Sequence, residues 1–500
     1  MSDLKFNMCY RIRRDLVYSI IIFSKAGASK LKYDFHLIVI GGGSAGLTAA
    51  SGAAGLGASV MLTEKENMGG DCLNYGCVPS KSFLRGAHLA KEFDSASEFG
   101  FSSHYTGDIP ALMARVQRVV ADIAPHDSEE RYRALGVSVV KGKGTIEDSH
   151  TVSVSGKRYT AKSIIIATGS TALIPQIKGL EAVPYYTNRT IFDLKKTPHR
   201  LVVLGAGPIG LELGQGFRHL GAEVVIIDKG DALFKKDDPE AGRLMRDVFA
   251  KDGVELKLSA AIKEVSMNGE FISVTIEREG ALETVSGDSL LVSLGLTPMT
   301  EGLNLDKNGI AADTKGYIIT DAQMRTSVKN IYACGDITGP YQFTHMASYQ
   351  AAVAIKNALF KMRAKVNYDA VPWCTYTKPE VAHVGHTESS AKSKNIFDKY
   401  ILVSLSENDR ARTENDTLGF LKLIISQKGK IIGATIVGDK AGEMIAPAVM
   451  AVSKGMGTEI FYDTILPYPT ESEIYRTAAL KNLQESVKPW QRKILDFLLK

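Results

Sequence analysis

The chain is poor in cysteine, with five in 500 residues. That is too few for a disulfide framework, so a reducing compartment, the cytoplasm, is expected. It also lacks a long apolar run near its start. LVYSIIIF (residues 16–23) is eight residues long, against about 20 for a helix that spans a bilayer. Charge of one sign is missing from the body. Residues 1–33 hold seven Lys/Arg and two Asp/Glu, and the remainder carries 53 of each sign. A neutral body removes the electrostatic case for a nucleic-acid partner. No low-complexity linker divides the chain, yet its length exceeds what one core supports, so three or four domains are expected.

The N-terminal segment mimics an export signal. Lys5, Arg11, Arg13 and Arg14 precede the short apolar run, and a small-residue AGA follows at Ala26–Ala28. Asp15 at the edge of the run argues against export. Residues 1–33 read instead as a disordered or surface-docked basic extension, a pattern that a misassigned start site would also give.

What the chain does contain is a repeat. FHLIVI (35–40) meets GGGSAGLTAA, and SVMLTE ends at Glu64. RLVVL (200–204) meets GAGPIGLELG, and EVVIID ends at Asp228. Each reads as a buried strand, a glycine turn, a helix and a second strand closed by an acid. Gly41 and Gly205 make the tight turn, Gly43 and Gly207 let the backbone approach a pyrophosphate, and Gly46 and Gly210 let helix and strand pack closely. The phosphates rest on the helix N-terminus, where free N–H groups and the dipole favour an anion. The acids, both 23 residues after the first glycine, take ribose hydroxyls. A lone fingerprint is weak, but two in matching context predict two bound dinucleotides.

Further strands are expected at SIIIATGS (163–170) and NIYACGDITG (330–339), with a hairpin in FLKLIISQKGKIIGATIVG (420–438) around Lys428–Gly429. Helical patterns follow over 441–455 and 472–487. The expected class is α/β: two doubly wound dinucleotide-binding domains followed by a C-terminal α+β unit.

Two of the five cysteines, Cys72 and Cys77, stand in GGDCLNYGCVPSK (69–81). A metal clip would need CxxC-type spacing and two further ligands, and no second Cys/His pair lies near, so no metal site is expected. Cys9, Cys334 and Cys374 read as inert buried thiols. Cys72 and Cys77 follow a dinucleotide fingerprint and precede a helical stretch (81–93), whose N-terminal dipole would favour a thiolate.

At this point the sequence resembles the FAD-dependent pyridine nucleotide-disulfide oxidoreductases with a CxxxxC centre, the group of dihydrolipoamide dehydrogenase, glutathione reductase and mercuric reductase. The resemblance runs from about Tyr33 to Val487 and includes GGDCLNYGCVPSK, both fingerprints, ATGS, the Gly335–Asp336 motif and YTKPEVAHVG (376–385). It implies an FAD-binding domain (34–186), an NAD(P)-binding domain (187–310), a central segment returning to FAD (311–371) and a dimerisation domain (372–488), with a tail beyond. It also implies roles. Glu64 would hold the FAD ribose and Asp336 the ribitol chain, while Gly144, Ala167, Thr168 and Gly169 would line the FAD site. The turn Gln342, Phe343, Thr344, His345 would start a helix beneath the flavin. Lys81 would pair with Glu212 beside the flavin, and Gly295 would contact the nicotinamide nucleotide. Electrons would pass from NAD(P)H through the flavin to Cys77, and Cys72 would attack a small disulfide or related acceptor. Asp228 favours NAD(H), since an acid there repels the NADP phosphate, while Lys229, Lys235 and Lys236 leave NADP(H) open.

The last absence is a histidine. Family members place one before Pro-Thr, with a glutamate five residues on, acting across a homodimer interface on the other subunit's cysteines. PYPTESE (467–473) has Tyr468 and Glu473 at those offsets. Histidine titrates near 6.5 and tyrosine near 10, so Tyr468 can donate a proton but is a poor base. Dihydrolipoamide oxidation, which needs a base, is therefore disfavoured. Mercuric reductases resemble this chain in the tyrosine, yet they carry a C-terminal cysteine pair that KPWQRKILDFLLK lacks. The resulting expectation is an NAD(P)H-dependent flavoprotein reductase resembling mercuric reductase without being one. The alternatives are dihydrolipoamide dehydrogenase or mercuric reductase proper, or a redox flavoprotein serving another protein. In the tail, Trp490, Ile494, Phe497 and Leu498 form a helical stripe beside basic residues that could lie on a membrane. Such stripes more often pack on their own protein, and that is the expectation here.

Overall fold

In the computed structural model, which describes residues 32–102, 108–487 and 489–499, each glycine turn stands where a buried strand hands the chain to a helix. The basic segment with Lys5, Arg11, Arg13, Arg14 and Cys9 lies outside the described residues. Strand β1 (Phe35–Ile40), helix α1 (Ser44–Gly55) and strand β2 (Val60–Glu64) follow in order. All five residues of β2 are buried, as suits a parallel strand covered on both faces. A short helix α2 (Gly70–Asn74) and a long one, α3 (Cys77–Asp94), carry the cysteine segment. The second helix thus begins at Cys77 itself, earlier than the pattern over 81–93 indicates.

Strand β3 (Lys157–Ile166) serves two neighbours. Its first half pairs antiparallel with Thr151–Val154, and its second half runs parallel to β1 and to Ile331–Ala333. The chain therefore returns after residue 330 to complete the first sheet, bringing the Gly335–Asp336 turn beside the first glycine turn. The second sheet repeats the scheme with β4 (Arg200–Leu204), α4 (Pro208–His219) and β5 (Glu223–Ile227), parallel throughout and flanked by Val254–Lys257 and Ser289–Val292. Helix α5 (Thr344–Phe360) packs on α1, where Thr48 donates to Ser348 Oγ at 3.1 Å.

Aromatic packing joins the two lobes. Phe83 of α3 is fully buried, with its ring 4.8 Å from that of Phe217 on α4 and 6.1 Å from Phe192. Burying one such side chain is worth about 1.5–3 kcal/mol. Gly216 permits the approach, since a Cβ there would fall 2.7 Å from Phe83. This contact sets α3 and α4 side by side and so fixes which of their side chains can meet.

The C-terminal unit is a five-stranded antiparallel sheet with helices, ending in α6 (Ile474–Ser486) and α7 (Pro489–Leu498). The expected α/β architecture with this third unit is what the chain adopts. The helical pattern over 441–455 divides into Ala441–Met444 and Ala446–Lys454. The hairpin Phe420–Ser426/Ile431–Gly438 forms around Lys428–Gly429. Alternation of the kind seen in its sequence ordinarily leaves one face in water, but here every residue of Phe420–Ser426 is buried. Lys422 is among them, and its ammonium meets Glu388 at 2.7 Å, Glu240 at 3.0 Å and Asp238 at 3.2 Å. Asp238 also accepts from Thr435 Oγ1 at 2.8 Å and from the Glu388 amide at 3.0 Å.

Helix α7 corrects one expectation. Its stripe does not pack on the body: Trp490 is 58% exposed and Phe497 80%. The reason is positional, because α7 lies beyond the core of the C-terminal unit, whose last member is Ala479. Among the described residues, no helix is long and apolar enough to cross a membrane.

Candidate active site

Both glycine turns open into one cavity of about 2040 Å³, well above the ~300–1,000 Å³ of a pocket for one small molecule. The turns solve the same steric problem. Gly41 has φ +110°, and a Cβ there would meet Ala167 O at 2.4 Å; Gly205 has φ +106° and would meet Ser293 O at 2.5 Å. Gly43 and Gly207 cap the N-termini of α1 and α4, and Gly46 and Gly210 sit in the first turn of those helices. The terminal acids behave alike as well. Glu64 accepts from the amides of Gly42 and Glu66 at 2.6 and 2.7 Å, and Asp228 from those of Ala206 and Gly230 at 2.7 and 2.6 Å. These cradles, and the volume they share, fit two dinucleotides.

The remaining walls come from later segments. Gly144, Ala167, Thr168 and Gly169 line the first-turn side, where Thr168 Oγ1 donates to Met299 O at 2.8 Å. Gly295 lines the cavity too. Asp336 accepts from Ser170 Oγ at 2.7 Å, and burial pushes its carboxyl above the usual range. Gln342 donates to the Tyr317 hydroxyl at 3.1 Å, Phe343 stacks on His345 with centroids 5.3 Å apart, and Thr344 is the first residue of α5. Lys229, Lys235 and Lys236 all line the cavity near Asp228, and Lys235 is also paired with Asp231 at 2.6 Å.

The cysteines sit where two helices begin. Cys77 opens α3, and its Sγ lies 3.4 Å from Oγ1 of Thr344, which opens α5. Both cysteines are free thiols. The hydrogen bond from Cys72 is the largest influence lowering the Cys77 thiol to about 6, with Thr344 and the Lys81 charge acting in the same direction against burial. That same bond, together with burial, pushes Cys72 well above the ordinary thiol range. The pair therefore holds one proton, on Cys72, and one thiolate, on Cys77, where helix dipoles favour negative charge.

Lys81, one turn further along α3, pairs with Glu212 of α4 at 2.8 Å. Glu212 is buried, and its second oxygen accepts from the Tyr376 amide at 2.9 Å. The Tyr376 ring lies 4.4 Å beneath the Lys81 ammonium. Packing of Phe83 on Phe217 positions the pair, and Tyr376 clamps it from the C-terminal unit.

Tyr468 and Glu473 are not brought to this cavity within the chain. Tyr468 is 71% exposed, and its hydroxyl donates to Asp409 at 3.2 Å, a bond that raises its pKa. Glu473 ends the short turn before α6.

Sequence reasoning missed several residues of the site. Cys374 lines the cavity, and burial holds its thiol well above the ordinary range, as suits an inert one. Cys334 is fully buried, and burial pushes it up to about 12. Trp373 donates to Asp237 at 2.8 Å and stacks on His383 at 4.5 Å, while burial pushes Asp237 up to about 7. Asp71 lines the cavity beside the thiols; it stood in plain view inside GGDCLNYGCVPSK. Nothing local in the sequence marks Asp237. Among the described residues, no group of three His, Cys, Asp or Glu is placed to hold a metal ion.

The chain is similar to known proteins over most of its length. Residues 35–354 match the model of the pyridine nucleotide-disulphide oxidoreductase family, and residues 371–479 match that family's dimerisation domain, which implies a homodimer. The chain is 35% identical over 452 residues to a mercuric reductase of Staphylococcus aureus, covering 89% of this chain and 82% of that one. It is also 35% identical over 456 residues to a dihydrolipoyl dehydrogenase of Geobacillus stearothermophilus, covering 88% and 95%. Among solved structures it is similar to LpdA of Mycobacterium tuberculosis (TM-score 0.83, 28% identity, covering 89% and 99%). It is also similar to the HOCl-induced flavoprotein disulfide reductase RclA of Escherichia coli (TM-score 0.79, 27% identity, covering 89% and 99%).

Proposed function

The chain belongs to the pyridine nucleotide-disulphide oxidoreductase family, and from that premise we propose that it is a cytoplasmic, NADH-preferring reductase of a small disulfide or related acceptor. The observation that carries this reading is the unequal thiol pair at two converging helix N-termini, beside Lys81–Glu212, in a cavity shared by both glycine turns. Residues 34–186 with 311–371 would hold FAD, residues 187–310 the nicotinamide cofactor, and residues 372–488 the dimer contact.

When bound, FAD and NAD(H) supply the electron pair that opens the Cys72–Cys77 disulfide. The thiols do the rest. Cys72 attacks one sulfur of the acceptor disulfide, forming a mixed disulfide and releasing one substrate sulfur. The Cys77 thiolate then attacks Cys72 Sγ, the second substrate sulfur leaves, and the internal disulfide closes. Two electrons pass from the two cysteines to the acceptor. Cys77 suits the inner position because its thiolate is stabilised there, and Cys72 attacks as its proton passes to the substrate sulfur that leaves.

Asp228 favours NADH, since both its oxygens are fixed by backbone amides and its charge faces the cavity. Tyr468 keeps its proton at neutral pH, and the bond to Asp409 raises its pKa further, so it offers no base, which disfavours dihydrolipoamide oxidation. The test is anaerobic titration with NADH and NADPH, then turnover with a panel of acceptors. A long-wavelength thiolate–flavin absorbance band and NADH-driven turnover of a small disulfide are expected. Absence of the band, or rapid dihydrolipoamide oxidation, would sink the reading.

A further inference from the structure

The excess positive charge of the molecule sits at the two ends of the chain. Residues 1–33 hold seven Lys/Arg and two Asp/Glu, and residues 488–500 hold four Lys/Arg and one Asp. That leaves 49 of the 60 Lys/Arg and 52 of the 55 Asp/Glu for the residues between. Each basic end also carries apolar residues, LVYSIIIF in the first and the stripe of α7 in the second. Charge needed only for solubility has no reason to gather beside apolar side chains.

Helix α7 has the geometry for a contact. Trp490, Ile494, Phe497 and Leu498 stand at i, i+4, i+7 and i+8, which puts them on one face. All four are exposed, Ile494 by 49% and Leu498 by 71%, and the exposed Arg492 and Asp496 fall on the opposite face. Four large apolar side chains grouped in water and rimmed by polar ones mark an interaction surface. Ten residues at about 1.5 Å each make a rod of about 15 Å, far short of a bilayer. Such a helix lies in the plane of the interface, its apolar face sunk roughly 5–10 Å and its cations at the headgroups. Trp490 suits that depth, because an indole has an apolar body and a polar N–H.

A second copy of the chain is the poorer occupant. The match to the dimerisation domain ends at residue 479, whereas α7 starts at Pro489, past the last core member, Ala479. An excess of three acids spread over a partner's body gives a cationic helix little to bind, while an anionic bilayer offers charge across its whole surface. We propose that α7 docks on an anionic lipid surface, with Trp490, Ile494, Phe497 and Leu498 entering the interface and the basic residues of the tail drawn to the headgroups. The protein is thereby held at a membrane without crossing it. The contact uses no residue of the redox centre, so it stands whether or not the thiol relay does.

The test uses full-length, FAD-loaded protein floated with vesicles of phosphatidylcholine, alone or mixed with phosphatidylglycerol. Wild type should float with the mixed vesicles at low salt, and about tenfold more weakly with neutral vesicles or at about 1 M salt. The chain has two tryptophans, and the other, Trp373, lines the cavity. Emission should therefore shift to the blue with mixed vesicles in wild type and stay unshifted in Trp490→Phe. Phe497→Asp, and separately Arg492→Glu with Lys493→Glu, should weaken flotation by about tenfold or more with FAD content and dimer mass unchanged. No flotation, equal flotation on both vesicle types, or indifference to either set of substitutions overturns the proposal. Loss of the dimer in Phe497→Asp also overturns it, because the stripe would then be covered by a second copy.

Discussion

The two glycine turns are near copies in backbone and nothing alike in chemistry. Gly41 and Gly205 share a left-handed conformation, and Glu64 and Asp228 each grip the turn amide and the amide two residues on. The helices beyond the turns diverge. Helix α1 is built of small residues that pack on α5, whereas α4 carries Glu212 toward Lys81. Only the first repeat leads into the cysteine segment. Duplication reproduced a cradle for a dinucleotide, while the redox function lies in side chains that occur once.

That contrast can be broken from either side, most severely from the unrepeated one. Cys77→Ser should retain FAD, lose the long-wavelength band and cut disulfide turnover by about a thousandfold or more, measured by NADH consumption. The lowered Cys77 thiol also predicts a stability difference. The folded thiolate stabilises reduced protein above the unfolded thiol range near 8.5, and this contribution is lost as pH falls through about 6. The gap in melting temperature between reduced wild type and Cys77→Ser should therefore close from pH 9 toward pH 5.

The next largest effects separate the repeats. A Cβ at either turn meets a carbonyl oxygen in a conformation that already costs about 1–3 kcal/mol for a residue other than glycine. Gly41→Ala should lose FAD on gel filtration. Gly205→Ala should keep FAD and weaken NADH binding by about 30-fold, read by titration. Equal damage to both cofactors would mean the turns are not independent. Smaller still, Asp228→Ala should reduce the NADH over NADPH preference in kcat/KM by about tenfold. Smallest, Tyr468→His should raise dihydrolipoamide oxidation by about threefold, since the new group can act as a base near neutral pH.

The repeats were legible in the sequence because glycine spacing is imposed by backbone geometry, which any chain making this turn must obey. The strands emerged from apolar runs, and the Lys81–Glu212 pair from a family resemblance. Asp71 was visible but mute: a carboxyl in a motif looks the same whether solvated or sheltered, and only neighbours contributed from elsewhere, such as Asn188, decide which. Cys374 and Asp237 escaped for the same reason, being brought to the cavity by the C-terminal unit and by the segment before Pro239. The start of α3 at Cys77 was hidden because Pro79, a usual interruption, falls where a first helical turn tolerates it.

Lys422 has a bearing on modularity. A fully buried ammonium is tolerable only with its carboxylates in place, and breaking such an arrangement from one side costs about 3–5 kcal/mol. Its partners Asp238 and Glu240 lie 184 and 182 positions earlier in the chain. Cut free at residue 371, the C-terminal sheet would keep Lys422 and lose two of the three groups that neutralise it. The unit that makes the dimer is thus tied to the preceding lobe by a charge network that neither side completes alone.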